Sequence, residues 1–131
     1  MNTASGIEAK SDLIKNSPHI LGDIRGANSG PTIIAMGGMH GNEATSISAI
    51  RHALELLAPL QEEMKGRFIG VQGNISALKK GMRFNTEDMN RLWVASILDK
   101  IRRTSTENLA SIDRAEIKEL LKVLDPIVYS E

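Results

Sequence analysis

The sequence contains no cysteine. This excludes disulfides, thiolate metal ligands and thiol nucleophiles, and it leaves histidine and carboxylate side chains as the candidate ligands for a transition metal. Aromatic residues make up only 3% of the chain, so few side chains could stack on bases or sugars. Lysine plus arginine equal aspartate plus glutamate at 16 each. No overall charge therefore favours nucleic acid or an anionic membrane as a partner.

Long apolar runs are also absent from the sequence. None is long enough to span a membrane, and the first 15 residues lack the apolar core of a signal peptide. We therefore expect a cytoplasmic protein. With 131 residues, 41% of them apolar, the chain has the size and composition of one soluble domain. We expect a single unit over residues 1–131, of which 1–17 form a poorly ordered lead-in.

Three short apolar segments of strand-like composition divide the first half of the chain. They cover residues 19–25, 32–36 and 67–72, and a glycine-rich turn at 26–30 joins the first two. Apolar residues then recur at helical spacing, which predicts a helix over 43–58. A strand, a helix and a strand in this order predict two parallel strands with the helix across one face. The unbroken apolar run at 32–36 further predicts a buried central strand.

The second half of the chain is predicted to be loop and helix. Its elements are a long loop at 73–90 with a short helical turn at 76–80, and amphipathic helices around 94–101 and 117–124. Asp125 and Pro126 are expected to end the last helix, and residues 127–129 to begin another buried strand. The predicted class is α/β, with a mixed, largely parallel sheet flanked by helices.

A glycine-rich segment with metal-ligand spacing follows the second predicted strand. Residues 37–43 read Gly-Gly-Met-His-Gly-Asn-Glu, at the kind of strand-to-helix turn where open α/β sheets place their ligand sites. His40 and Glu43 could converge on one zinc ion, and the glycines would allow a substrate to approach closely. The same pattern also fits an ordinary turn with a surface histidine and a glutamate favoured by the helix dipole. Spacing alone leaves both interpretations open.

A second motif follows at residues 81–91, which read Gly-Met-Arg-Phe-Asn-Thr-Glu-Asp-Met-Asn-Arg. Together the two motifs resemble the succinylglutamate desuccinylase and aspartoacylase family, relatives of the zinc carboxypeptidases. That family reads Gly-x-His-Gly-Asn-Glu early and Arg-Tyr/Phe-x-x-x-Asp-Leu-Asn-Arg later. Residues 73–78 are similar to its Gly-Asn-Pro-x-Ala-Leu segment, with Ile75 in place of the usual proline. The motif similarity covers residues 40–91.

The resemblance implies a zinc carboxypeptidase-like fold and a function for individual residues. His40 and Glu43 would be ligands of one zinc ion, and Arg83 would be catalytic by stabilising the oxyanion at the scissile carbonyl. Asn90 and Arg91 would hold the substrate's carboxylate, and Arg83 would bind the substrate at that carbonyl. The implied reaction is hydrolysis of the amide bond of a small-molecule N-acyl amino acid by promoted water. Asp88 is expected to orient this loop.

The family's third zinc ligand, a later histidine, and its general-base glutamate have no counterpart in this sequence. We therefore expect the N-terminal part of a catalytic domain, truncated just before the third ligand and inactive alone. A truncated sheet would have an open edge, which predicts a homo-oligomer.

Two rival interpretations remain open at this stage. One is a carboxypeptidase-like peptidase, and the other is a noncatalytic α/β module that binds anions. His52, on the predicted helix, is assigned no role. Trp93 is expected to pack against a helix and not to contact substrate.

Overall fold

The computed structural model describes residues 14–129 and contains a three-stranded mixed sheet. The strands are β1 (Ile20–Arg25), β2 (Asn28–Gly37) and β3 (Lys65–Gln72), in the order β1-β3-β2. β2 and β3 are parallel, which confirms the predicted strand-helix-strand unit, whereas β1 is antiparallel to β3. The mixed sheet is confirmed, but only one of its two pairings is parallel. Of the predicted lead-in, residues 1–13 lie outside the described residues.

Four α-helices of the described chain lie at the helical segments predicted from the sequence. They are α1 (Ala44–Leu57), α2 (Ile75–Lys80), α3 (Ala95–Arg103) and α4 (Ile112–Val128). Short 3-10 turns follow α1 at Ala58–Leu60, precede α3 at Met89–Arg91 and precede α4 at Thr106–Asn108. In the part of the chain that the structure describes, no helix combines the length and the apolar character needed to cross a membrane.

Helices cover both faces of the sheet. Successive side chains of β3 point to opposite sides, so neighbouring residues of this strand contact different helices. Ile69 and Val71 are fully buried in the main core, whose other members lie largely on α4. Gly70, between them, faces α1. A Cβ at Gly70 would lie 2.5 Å from Ile50 Cγ2, so the missing side chain allows α1 to pack closely on the sheet.

The prediction of a buried central strand at 32–36 is wrong for this structure. β2 is an edge strand, and no strand of residues 14–129 pairs with its outer side. Ile33 is 56% exposed. A continuous apolar run indicates that a strand can be buried on both faces, but it does not indicate which strands or helices pack against it.

The predicted end of the last helix at 125–126 and the predicted strand at 127–129 are also wrong. α4 continues to Val128, and Tyr129 N–H still donates to the carbonyl of Asp125 at 2.9 Å. Pro126 is accommodated in the last turns of the helix, and Ile127 is buried in the main core. Burial of Ile127 favours the helical path. A three-residue apolar run cannot by itself distinguish a strand from a buried helical turn.

Candidate active site

The turn between β2 and α1 carries the first motif and is closed by Ser46. Gly38 has a φ of +67°, a left-handed conformation that favours glycine. Its N–H donates to Ser46 Oγ at 2.8 Å, and that hydroxyl donates to the carbonyl of Glu43 at 2.6 Å. Ser46 therefore ties the end of β2 to the first turn of α1, and it fixes the backbone that carries His40 and Glu43.

The second motif packs directly against this turn. Gly41 N–H donates to the carbonyl of Arg83 at 3.1 Å. A Cβ at Gly41 would lie 2.2 Å from the carbonyl carbon of Ala77 and 2.2 Å from the carbonyl oxygen of Met82. Only glycine allows this approach. At Gly41 the group that approaches closely is the backbone of Ala77 and Met82.

His40 is buried, and its imidazole lies between two carboxylates. Nε2 is 2.8 Å from Asp88 Oδ1, and because an ionised carboxylate only accepts, Nε2 carries the proton and donates it. Nδ1, the other ring nitrogen, is 3.3 Å from Glu43 Oε1. Because Asp88 holds Nε2, Nδ1 is the ring nitrogen that faces Glu43.

The pair formed by His40 Nδ1 and Glu43 Oε1 has donor types that zinc binds and a separation that a zinc ion would fit. Two atoms that are each about 2.0–2.1 Å from a tetrahedral zinc ion lie about 3.3 Å apart. A charge-assisted hydrogen bond is shorter, about 2.7–2.9 Å. The Glu43 side chain is 54% exposed, so an ion could enter from solvent. These two residues fit zinc, although residues 14–129 contain no group of three or more metal-binding side chains arranged to hold an ion.

Asp88 is the acceptor that several groups of the site share. Besides His40, the backbone N–H of Asn90 donates to Oδ1 at 2.9 Å, and Arg83 Nη2 lies 3.5 Å from Oδ2. Burial alone would raise the pKa of Asp88. The hydrogen bonds from His40 and Asn90 and the charge of Arg83 outweigh burial and hold this pKa below its usual range. The sequence predicted that Asp88 orients its own loop, and the structure shows that it also orients His40.

The three predicted substrate residues lie next to Asp88 and have exposed side chains. Arg83 is 52% exposed and its guanidinium reaches Asp88. Asn90 and Arg91 belong to the 3-10 turn that follows Asp88, whose carboxylate caps that turn. Arg91 Nη1 makes a long contact of 3.4 Å with the carbonyl of Asn90. The structure thus brings Arg83 to the carboxylate that holds His40, and it leaves Asn90 and Arg91 exposed beside that carboxylate in the chain.

His52 lies away from this site. It is exposed on α1, with Nδ1 3.9 Å from Glu55. His52 and Glu55 have the same three-residue spacing as His40 and Glu43, which makes them a natural comparison pair.

His19 is buried before β1, where Nδ1 donates to the carbonyl of Gln72 at 2.9 Å and Nε2 lies 3.2 Å from Glu116. Burial lowers the pKa of His19, but the interactions with Glu116 and Gln72 outweigh it, and the net pKa is raised. A cavity of about 660 Å³ is lined by His19, Glu116 and neighbouring residues and contains none of the predicted site residues. Its buried polar groups already bind one another, so we assign it no ligand.

Two residues that support the site, Ser46 and Asp113, were not predicted to do so. Asp113 is fully buried in the first turn of α4. Asp113 lies four residues before Ile117, on the apolar face of the helix. A carboxylate at such a position in a sequence indicates a buried, hydrogen-bonded anion. Trp93 packs against the main core as expected, and its indole nitrogen has no hydrogen-bond partner among the described residues.

Comparison with known proteins is consistent with the motifs that meet in this structure. The family model for the succinylglutamate desuccinylase/aspartoacylase catalytic domain matches residues 29–125, a span that includes both motifs and most of α4. The chain belongs to this family. This family is the one that the two sequence motifs resemble, and it is a family of hydrolases.

Similar curated proteins are bacterial succinylglutamate desuccinylases. The Chromobacterium violaceum protein is 30% identical over 96 residues, which cover 69% of this chain and 28% of that protein. The Pseudomonas paraeruginosa protein is 32% identical over 66 residues, 50% of this chain and 20% of that protein. The Pseudomonas putida protein is 29% identical over 88 residues, 63% of this chain and 26% of that protein. The chain spans about a quarter of the length of the curated relatives it matches. No solved structure gives a significant match.

Proposed function

We propose that this chain contributes two zinc ligands and the substrate-binding arginines to a cytoplasmic hydrolase that cleaves the amide bond of an N-acyl amino acid. One observation carries the proposal. His40 is held by Asp88 at Nε2, which leaves Nδ1 3.3 Å from Glu43 Oε1, in a chain whose relatives are named for desuccinylation. Metal-binding histidines commonly donate their other ring N–H to a carboxylate in this way.

In this proposal the residues of the chain hold the groups around the reacting amide. His40 and Glu43 bind the ion, which when bound would polarise the scissile carbonyl and activate water. Arg83 places a positive charge where the oxyanion develops. Arg91 binds a substrate carboxylate through its planar fork of donors, and Asn90 adds an amide donor. The substrate is a small molecule with at least one free carboxylate, as the names of the relatives suggest.

We expect the isolated chain to bind zinc weakly and to release no measurable amino acid from N-acyl substrates. Residues 14–129 supply two donors to the site, whereas a catalytic zinc ion has three protein ligands. Weak zinc binding by the chain is therefore the property to test first.

The zinc proposal is tested by NMR titration of the chain with zinc ions, because NMR detects weak binding at individual residues. We expect resonances of residues 40–43 to shift on addition of zinc, and His40→Ala to abolish those shifts. His52→Ala is the matched control, since His52 has a glutamate at the same spacing on an exposed helix face. Shifts at 40–43 that persist in His40→Ala would sink the proposal.

The substrate proposal is tested by titration with N-succinylglutamate and, separately, with a dipeptide. We expect N-succinylglutamate to shift resonances of Arg83, Asn90 and Arg91, and Arg91→Ala to weaken its binding. Tighter binding of the dipeptide would favour the carboxypeptidase-like alternative. Binding of N-succinylglutamate by a chain that binds no zinc would favour a noncatalytic anion-binding module.

A further inference from the structure

The carboxylate of Asp113 binds the backbone of the loop that leads to Asp88. Its Oδ2 accepts the N–H groups of Thr86 and Glu87 at 2.8 and 2.9 Å, and Oδ1 accepts the N–H of Asn85 at 3.0 Å. Three consecutive backbone donors therefore converge on one buried charge. Burial raises the pKa of Asp113, but these bonds outweigh it and hold that pKa well below the usual range.

The same carboxylate is linked to the turn that carries His40. Buried Asn74 donates from Nδ2 to Asp113 Oδ1 at 2.7 Å, and its backbone N–H donates to the carbonyl of Gly38 at 2.8 Å. Contacts thus run from the His40 turn through Asn74 and Asp113 to the loop, and they return to His40 through Asp88. Asp113 lies at the junction of the two motifs.

A second contact from α4 holds the residue that immediately precedes Asp88. Glu87 is bound through its side chain by Arg114, with Nε and Nη2 2.8 and 3.0 Å from the two carboxylate oxygens. Ser111, the N-cap of α4, also donates to Glu87. The start of α4 therefore holds residues 85–87 by both backbone and side chain, and it leaves little freedom for the next residue.

We propose that Asp113 is a positioning residue of the candidate site, because it fixes residues 85–87 so that Asp88 holds His40 Nε2 and His40 Nδ1 faces Glu43. Asp113 itself touches neither the zinc ligands nor a substrate. The inference deepens the proposed function and depends on it only where zinc affinity is concerned. The orientation of the His40 ring is a property of the metal-free chain.

The test compares Asp113→Asn with Asp125→Asn. Both replace a carboxylate of α4 with an amide, but Asp125 pairs with Arg102, away from the loop. In Asp113→Asn the amide nitrogen must face one of the converging N–H groups, so the loop loses at least one bond to a charged acceptor. We expect amide exchange at 85–87 to become about tenfold faster or more, since such a bond contributes about 1.5–3 kcal/mol. In Asp125→Asn the exchange rates of these amides should stay at the wild-type values, after correction for any change in global stability.

The deciding measurement is the position of the His40 imidazole in zinc-free protein, read from nuclear Overhauser contacts of its ring protons. The proposal predicts the same contacts in the wild type and in Asp125→Asn, and weakened or averaged contacts in Asp113→Asn. A folded Asp113→Asn variant that keeps the wild-type ring contacts would overturn it, even if the loop amides exchange faster. Zinc affinity is measured on the same samples, and failure of the wild type to bind zinc would count against the proposed function without altering the ring-contact result.

Asn85→Ala provides the same test if Asp113→Asn does not fold. It removes the Asn85 Nδ2 donor, which lies 3.2 Å from Asp113 Oδ1, and leaves the buried carboxylate in place. We expect a smaller change in the same direction, with faster exchange at 86 and 87 and weakened ring contacts of His40. Unchanged ring contacts in this variant would also count against Asp113 as a positioning residue.

Discussion

His40 Nε2 donates to Asp88 Oδ1 at 2.8 Å although 48 residues separate the two in sequence. One belongs to the turn between β2 and α1, and the other caps the 3-10 turn that precedes α3. The bond therefore depends on tertiary structure. Because it determines which ring nitrogen of His40 is available to a metal, it links the packing of the two motifs to the chemistry of the site.

Removal of this acceptor should weaken zinc binding. In Asp88→Ala the Nε2–H loses its partner and the ring loses its fixed orientation, so we expect zinc affinity to fall by about 10- to 100-fold, the usual effect of losing an outer-shell carboxylate. The measurement is an NMR zinc titration. Asp99→Ala removes an exposed carboxylate paired with Arg102 and should leave affinity unchanged. Equal affinities of the two variants would contradict the prediction.

Gly41→Ala should destabilise the fold by forcing the two motifs apart. The new Cβ would lie 2.2 Å from backbone atoms of Ala77 and Met82, so we expect a loss of about 1–3 kcal/mol in the free energy of unfolding. Urea denaturation measures it. Gly81→Ala is the comparison: a Cβ there would meet no described atom within 4 Å, but φ is +64°, which costs about 1–2 kcal/mol. Only Gly41→Ala should also abolish the zinc-induced shifts.

His19 should make stability fall as pH rises. Its folded pKa is raised, so its contribution with Glu116 is complete below the unfolded pKa of about 6.5 and is lost as pH rises through the folded value. We expect the urea midpoint of the wild type to decrease from about pH 6 to about pH 8.5, and this decrease to be smaller in His19→Gln. His52→Gln, at an exposed position, should retain the wild-type slope.

The outer edge of β2 should mediate self-association. Ile33 is 56% exposed on a strand whose outer side pairs with no strand of residues 14–129. Such edges pair readily, and lysine on an edge strand opposes pairing. We propose that the chain forms a dimer or larger oligomer that Ile33→Lys dissociates. Light scattering at high concentration is the measurement, and Leu56→Lys, at a similarly exposed position on α1, is the control. A monomeric wild type would contradict this prediction.

Local patterns in the sequence predicted most elements of the fold. The helix at Ala44–Leu57 followed from apolar spacing, and the parallel pairing of its flanking strands followed from the order strand, helix, strand. The exposed position of β2 and the helical path of residues 127–129 did not follow, because both depend on which distant residues are available for packing. Apolar character alone contains no information about the neighbour.

The candidate site divides in the same way. His40, Glu43 and Arg83 were predicted from motifs that are local in sequence, and these residues do come together in the structure. Asp113 was missed because its role arises from bonds to residues that lie 26 to 39 positions away. The available signal was a single carboxylate on an apolar helix face. It indicates a buried anion but not which groups donate hydrogen bonds to it.

β2 is both the strand that leads to His40 and the outermost strand on its side of the described sheet. Strands that pair in parallel end at the same rim of a sheet, so a strand aligned with β2 on its outer side would bring its last residues next to His40. If the proposed zinc site is correct, a third ligand on such a strand would reach His40 and Glu43 without a rearrangement of residues 14–129.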